Sequence, residues 1–446
     1  MCCEEASTGN TTVLPSLAPL QHKAAPTTLV QPTLFPTPPN PDRTNYPSDR
    51  STFRRVIAGP LTPDDRPEDD PGGMLIVHIA DITMFYAPAS GGVRTYLDAK
   101  HHRLDAIQGV RHSLLIPGAS AQHADGIYQV PAPPLPFGNG YRFPVRLAPW
   151  CNVLRRLKPD LIEVGDPYLT AWAALEARRK LDVPVIGFYH SDLPLLVSNR
   201  MGNWFTPNVE AYVSKLYGNF DRVLAPSQVM ADKLRRLGVR DVHVQRLGVD
   251  LATFNPNQRD PQLRAELGIA ETSRLLIYAG RGSREKNLPV LLDCMQHLGH
   301  PYHLLLVGSN MPANVPRNVS VIGHFCPAPE VARLMASADL LVHAGDQETF
   351  GLVILEAMAS ATPVVAVRAG AFGEIVNEQC GRLCRPNDSQ AMATAVQEAF
   401  EAGVRTLGVQ ARRHAEQHYS WDNVVTGLLQ HYQAVLGHQP QVRAHG

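Results

Sequence analysis

The sequence predicts an α/β protein built as two doubly wound parallel-sheet domains that face each other across a cleft. Three observations carry this expectation. The chain has 446 residues, too many for one hydrophobic core. From Met74 onward, short apolar runs alternate with amphipathic stretches, a rhythm that lays helices on both faces of a parallel sheet. The rhythm then halts at FNPNQRDPQ and begins again, which marks a second domain.

Taken in order, residues 1–72 hold 13 of the 38 prolines, end in the acidic PDDRPEDDPGG and show no helical or strand period. Such a segment is expected to be a disordered tail. MLIVHIAD then reads as a buried strand, and the loop after it carries Gly91 and Gly92 immediately before a helix pattern. The first domain, 73–255, continues through SLLIPG, DLIEVGD, a helix from Leu169 to Lys180, VPVIGFYH, RVLAPS, a helix from Gln228 to Leu237, and VHVQRLGVD. The domains join near residues 251–265. The second, 256–420, runs RLLIYAG, a helix near Leu288 to Leu298, HLLLVG, VSVIGHF, a helix near Pro329 to Ala338, LLVHAG, a helix from Gly351 to Ala359, and PVVAV. Residues 421–446 begin with a last helical stretch, WDNVVTGLLQHYQAVL. Sheets of this kind bind ligands beyond the carboxyl ends of their strands.

Composition removes several function classes. The formal net charge is zero and the pI is near 7.3, which gives no reason to expect nucleic acid as a partner. Seven scattered cysteines argue against a secreted disulfide framework and fit a reducing cytoplasm. No run of about 18 apolar residues is present, so any membrane contact is expected to be peripheral, on the inner face.

The chemistry concentrates in HAGDQETFGLVILEAM, His343 to Met358. A helix opening at Gly351 directly after a strand would point free backbone N–H groups and a positive dipole end into the cleft, an anion site that needs no metal. Glu356 lies about one turn inside that helix, and side chains lean toward the helix N-terminus. Glu348 lies in the loop before it. Acceptor-only carboxylates on both sides of a phosphate site suit a ligand with hydroxyls at both ends of a diphosphate, as a nucleotide sugar has. Acidic residues are also common near helix starts simply because they favour the dipole, so the pair alone does not decide. The second feature is GRGSREKN, which puts Arg281 and Lys286 in the loop after the second domain's first strand. Two cations there can clamp a leaving diphosphate, Arg by its planar fork and Lys as a point charge. Cys380 and Cys384 have no companion pair at zinc-site spacing, so no metal or other cofactor is expected.

In these motifs the sequence resembles the retaining glycosyltransferases of family 4, which have the two-domain GT-B fold. The match covers about residues 74 to 435. ETFGLVILE holds the family's two glutamates, Glu348 and Glu356, and GRGSREKN holds its Arg and Lys, Arg281 and Lys286. SGGVRTY corresponds to the family's N-terminal glycine-rich loop. The resemblance implies that Glu356 bonds the ribose hydroxyls and that Glu348 contacts the transferred sugar, helped by the backbone N–H groups of Phe350, Gly351 and Leu352. Gly91 and Gly92 would let the first domain's backbone approach the diphosphate. His190, in GFYHSDLP, would turn its ring into the cleft near the reacting carbon, and His324 is placed only by location, beside the nucleotide base. Glu374, in GAFGEIV, is a candidate loop anchor. The last helix would cross back onto the first domain.

The expected reaction is transfer of a hexose-type sugar, with retention and without a metal, from a nucleotide diphosphate sugar, UDP ahead of GDP. A membrane lipid such as diacylglycerol is the expected acceptor. Two stretches support it, FPVRLAPWCNVLRRLKP and NRMGNWFTPNVEAYVSKLYGNF, which mix Arg and Lys with aromatic residues as an interfacial surface does. Two alternatives stand beside this reading: the same donor with a polysaccharide or lipopolysaccharide acceptor, and an inactive nucleotide-sugar-binding scaffold.

Overall fold

The computed structural model describes residues 77–87, 91–136 and 140–437, so the Pro-rich segment 1–72 lies outside the described residues. The first sheet contains strands β1 (Val77–Ile82), β2 (Val110–Gly118), β3 (Gln122–Ala124), β4 (Ile127–Pro131), β5 (Leu161–Val164), β6 (Val185–Phe188), β7 (Arg222–Ala225) and β8 (Val242–Val244). Their spatial order is β3-β4-β2-β1-β5-β6-β7-β8. The second contains β9 (Arg274–Ala279), β10 (Tyr302–Val307), β11 (Val319–Ile322), β12 (Leu340–His343), β13 (Val364–Val367) and β14 (Gly381–Cys384), in the order β11-β10-β9-β12-β13-β14.

All pairings are parallel except β3 with β4. That hairpin departs from the purely parallel sheet expected from sequence, and its cause is local: Asp125 and Gly126 both take positive φ (48° and 75°), the conformation a tight two-residue hairpin turn demands. Several of the other strands are buried along their whole length: every residue of β5, β6, β12 and β13 is buried. All six residues of β10, YHLLLV, are buried, as expected where helices cover both faces of a sheet.

The covering helices of the first domain are α1 (Gly92–Asp105), α2 (Leu147–Leu157), α3 (Leu169–Leu181), α4 (Leu193–Met201), α5 (Thr206–Tyr217) and α6 (Gln228–Arg236). Those after the domain joint are α7 (Leu263–Glu266), α8 (Leu288–Leu298), α9 (Ala328–Ser337), α10 (Leu352–Ala359), α11 (Phe372–Ile375), α12 (Ser389–Glu401), α13 (Val404–Tyr419) and α14 (Trp421–Gly437).

Strand order places the site. In the first sheet the order reverses at β1, which has β2 on one side and β5 on the other; in the second it reverses at β9, flanked by β10 and β12. At such switch points adjacent loops leave in opposite directions and open a crevice. The loop after β1 carries Gly91 and Gly92, the loop after β9 carries Arg281 and Lys286, and the loop after β12 carries Glu348.

The last helix ties the two sheets together. Tyr419, at the end of α13, accepts a hydrogen bond at its carbonyl from the backbone N–H of Val249 (2.9 Å). Trp421 then stacks on Tyr96 of α1 with ring centroids 5.7 Å apart, and the Tyr432 hydroxyl donates to Glu163 of β5 at 2.6 Å. Glu163 stands opposite Asp81 of β1 in register, and both carboxylates pair with the fully buried ammonium of Lys100 at 2.7 Å. Burial works against all these charges. Lys100 outweighs it at Asp81, whose carboxyl is held below the usual range, but not at Glu163, which is pushed up to about 7.

Candidate donor site and family

Lys286 closes a single 3-10 turn after β9, and its ammonium is hydrogen-bonded to the carboxylate of Glu348. The position of that cation-bearing loop is set by close backbone packing. Gly282 donates to the carbonyl of Ser309 (2.8 Å), and a Cβ at Gly282 would lie 2.0 Å from the carbonyl oxygen of Asn310. Arg281 is the more open of the two cations, with a side chain 55% exposed and 4.0 Å from Glu285. Its backbone carbonyl accepts a hydrogen bond from the Tyr278 hydroxyl (3.2 Å).

Glu348 has a second neighbour that sequence reasoning passed over. His343, the last residue of β12, is fully buried. Its Nδ1 accepts a hydrogen bond from the backbone N–H of Gly345 (3.1 Å). Burial lowers the ring's pKa to about 4, so the ring is neutral and the proton sits on Nε2. That Nε2 lies 3.8 Å from Glu348 Oε1 and has no hydrogen-bond partner among the described residues. Although burial disfavours charge on Glu348, the Lys286 ammonium and His343 hold its carboxyl below the usual carboxylate range. The signal that could have exposed His343 was its place at a strand end five residues before Glu348; among 18 histidines, sequence alone gave no way to single it out.

Gly351 is the N-cap of α10, at φ +91°, and no side chain caps that helix. A Cβ at this position would both be strained and lie 2.4 Å from the Phe372 ring. Phe350 is buried, with its ring edge-on to Tyr419 at 6.1 Å, while Leu352 is half-buried. Leu352 reaches toward the other domain: a Cβ at Gly92 would meet its Cδ1 at 3.0 Å. At Gly91 a Cβ would meet nothing within 4 Å among the described residues. One turn into α10, Glu356 is half-buried, and burial alone pushes its carboxyl up to about 7.

His190 follows β6 but does not extend freely into the crevice. Its ring stacks face to face on Phe188, with centroids 4.1 Å apart, and lies 5.2 Å from Tyr96. Burial, with the nearby Lys100 charge, lowers its pKa to about 3. Its buried Nε2 has no partner among the described residues, while its backbone carbonyl accepts from the Thr349 hydroxyl (3.1 Å). The neighbouring Asp192 has structural work: it caps α4 and pairs with Lys233 at 2.6 Å.

His324 is exposed at the end of β11. With Cys326 and Glu330 it forms the one group of three potential metal-ligating side chains found among the described residues, their ligand atoms all within 4.8 Å of one another. The cluster follows the edge strand β11, with β10 between it and β9.

Comparison with known proteins bears on the family and the fold. Residues 90–253 match Glycosyltransferase Family 4, and residues 273–402 match Glycosyl transferases group 1. The chain is 30% identical over 374 residues to the GDP-mannose-dependent alpha-(1-6)-phosphatidylinositol dimannoside mannosyltransferase of Mycobacterium tuberculosis, covering 79% of this chain and 95% of that one. It is 29% identical over 295 residues to a sulfoquinovosyl transferase of Arabidopsis thaliana, covering 62% of this chain and 56% of the relative. Among solved structures, a sucrose-phosphate synthase from Thermosynechococcus elongatus superposes with a TM-score of 0.69 at 22% identity, over 81% of this chain and all of that one. HepE of Anabaena, solved with UDP and glucose, gives 0.63 at 19% identity over 80% of this chain and all of that one. Two parallel-sheet domains whose switch points face one crevice, together with these matches along nearly the whole described chain, make the protein a member of glycosyltransferase family 4 with the GT-B fold.

Proposed function

We propose that the protein transfers a hexose, with retention at the anomeric carbon, from a nucleotide diphosphate sugar to a membrane lipid. The observation that carries the donor reading is the Lys286–Glu348 ion pair beside the uncapped start of α10. In this reading the donor replaces that pair: Lys286 and Arg281 turn to the diphosphate, the N–H groups at Gly351 and Leu352 bond it, and the freed Glu348 carboxylate accepts from the sugar hydroxyls. Glu356 accepts from the ribose. Cleavage of the bond from the anomeric carbon to the phosphate oxygen leaves negative charge on the diphosphate, where the two cations and the helix dipole stabilise it. The acceptor oxygen bonds to the same face of that carbon, and its proton passes to the leaving phosphate oxygen. Fixed cations do here what a divalent ion does elsewhere, so no metal is required.

From sequence alone UDP stands ahead of GDP as the donor base. Several relatives are named as GDP-mannose-dependent mannosyltransferases, and their names support GDP-mannose as the first donor to test. Lipid as acceptor is supported by a rim on the first domain. Of the aromatic residues in the two mixed stretches, Trp150 and Tyr217 are core residues, but Trp204 is 75% exposed. Met201, Leu196 and Arg200 of the adjoining α4 are exposed too, and Tyr168, which feels the Arg200 charge, packs edge-on to Phe143 (6.2 Å) in the segment that carries the exposed Val145 and Arg146. Exposed apolar side chains with interleaved arginines suit an anionic lipid surface. No helix among the described residues is long and apolar enough to cross a membrane.

The test is a transfer assay of the purified protein with GDP-mannose, UDP-glucose and UDP-glucuronate, vesicles containing diacylglycerol and phosphatidylinositol, and EDTA throughout, with products identified by mass. A mannosylated lipid is expected. Donor hydrolysis without lipid product would overturn the acceptor reading, and activity that needs an added divalent ion would overturn metal independence.

A further inference from the structure

The carboxylate of Glu374 is engaged across the domain boundary. Its Oε2 accepts from the backbone N–H of Gln228 and its Oε1 from that of Val229, both at 2.8 Å. These are the first two residues of α6, whose N–H groups have no partner within the helix and lie at the positive end of its dipole. The residue before them, Ser227, caps α6 with its hydroxyl oxygen and donates that hydroxyl to the carbonyl of Thr349 at 2.9 Å. Thr349 in turn donates to the carbonyl of His190 (3.1 Å). Four segments are thereby stitched together, two from the first domain and two from the second.

The turn that holds Glu374 is packed directly on the donor loop. The backbone N–H of Ala371 donates to the carbonyl of Glu348 (3.1 Å). A Cβ at Gly370 would lie 2.4 Å from that carbonyl oxygen, and Phe372 fills the space that a side chain at Gly351 would need. The Glu374 turn is thus in direct contact with both Glu348 and Gly351.

We propose that Glu374 is a positioning residue, a carboxylate clamp on the start of α6 that sets the closed spacing of the two domains and with it the orientation of the Glu348–Gly351 turn. The effect on the donor rests on the reading of that turn as the donor site; the effect on domain spacing does not. If the clamp holds the closed form, its loss lowers the fraction of chains competent to bind, and the apparent affinity falls by the same factor.

The experiment places a pair of dyes at the exposed positions Asn152 and Gln397, one on each domain, and measures energy transfer in the ligand-free full chain and with GDP-mannose or UDP-glucose. It compares wild type with Glu374→Ala, Glu374→Gln and Ser227→Ala, with thermal melting as the check on folding. Glu374→Ala is expected to lengthen the ligand-free distance and to raise the donor KM by about tenfold, with a smaller change in kcat. Glu374→Gln, which retains one acceptor, and Ser227→Ala should fall between. Ligand-free distances unchanged in folded Glu374→Ala and Glu374→Gln would overturn the clamp. If wild type binds neither donor, the donor reading fails, while the ligand-free distances still decide the clamp.

Discussion

Lys286 and Glu348 neutralise each other in the ligand-free chain, so removing the lysine should act on two states at once. It strips a cation from the developing diphosphate charge and leaves a partly buried carboxylate facing only a neutral histidine. Lys286→Ala is expected to cut turnover by about 10²–10³-fold, with the circular dichroism spectrum unchanged. Glu356 makes a different prediction. Its carboxyl is raised from 4.5 to about 7 by burial, so the folded chain binds its proton more tightly than the unfolded one. Below the unfolded value both states hold the proton and there is no penalty. As pH rises from about 4.5 to about 7, the unfolded chain gains by ionising first and stability is lost. Because the group is half-buried and reaches water, the loss is taken as about 1–2 kcal/mol rather than the full value of the shift. Glu356→Gln should therefore melt above wild type at pH 8 in the absence of donor, with the gap closing at pH 5.

At the scale of the element, α10 depends on one glycine. Gly351 sits at φ +91° with the Phe372 ring where a Cβ would go, and Gly351→Ala should cost about 2–4 kcal/mol from combined backbone strain and overpacking. Urea unfolding measures that loss, and transfer should fall further than stability does, because the same turn presents the N–H groups. The exposed rim gives an independent prediction. Trp204, at the short turn between α4 and α5, has most of its side chain in solvent. Trp204→Ser should leave stability within about 0.5 kcal/mol while reducing sedimentation with anionic vesicles several-fold. Unchanged sedimentation would remove the rim from the lipid reading.

For the whole molecule, α14 holds the first domain through a buried polar junction. Tyr432 donates to Glu163, which shares Lys100 with Asp81. Tyr432→Phe leaves a buried carboxylate oxygen without its donor and should cost about 1–3 kcal/mol. Lys100→Met, which leaves two facing carboxylates unpaired, should cost about 3–5 kcal/mol. Equilibrium unfolding of both variants checks the order: the lysine change must be the larger.

The order of the elements was legible in the chain, because burial on both faces writes the strands as short, largely apolar runs and the helices as amphipathic 3.6-residue stripes. The helix Leu288–Leu298 is read from sequence with the same ends the structure gives it. The β3–β4 hairpin was not read, since QHADGIYQV is too polar and short to stand out, although its Asp125–Gly126 turn is the local signal. The spacing that puts Glu348 before and Glu356 inside one helix is likewise a property of the sequence, as is the placement of Arg281 and Lys286 after the strand that begins the second domain. Partnership is not. That Lys286 meets Glu348 and that Glu374 reaches the start of α6 join residues from separate strands or separate domains, while His343 turning its Nε2 toward Glu348 and His190 stacking on Phe188 are side-chain placements that the surrounding packing sets. Local periodicity is fixed by neighbours a few residues apart and can be read along the chain. Contacts between distant segments follow only from strand order and from the depth to which packing desolvates each charge, and those are decided when the two sheets have formed and faced each other.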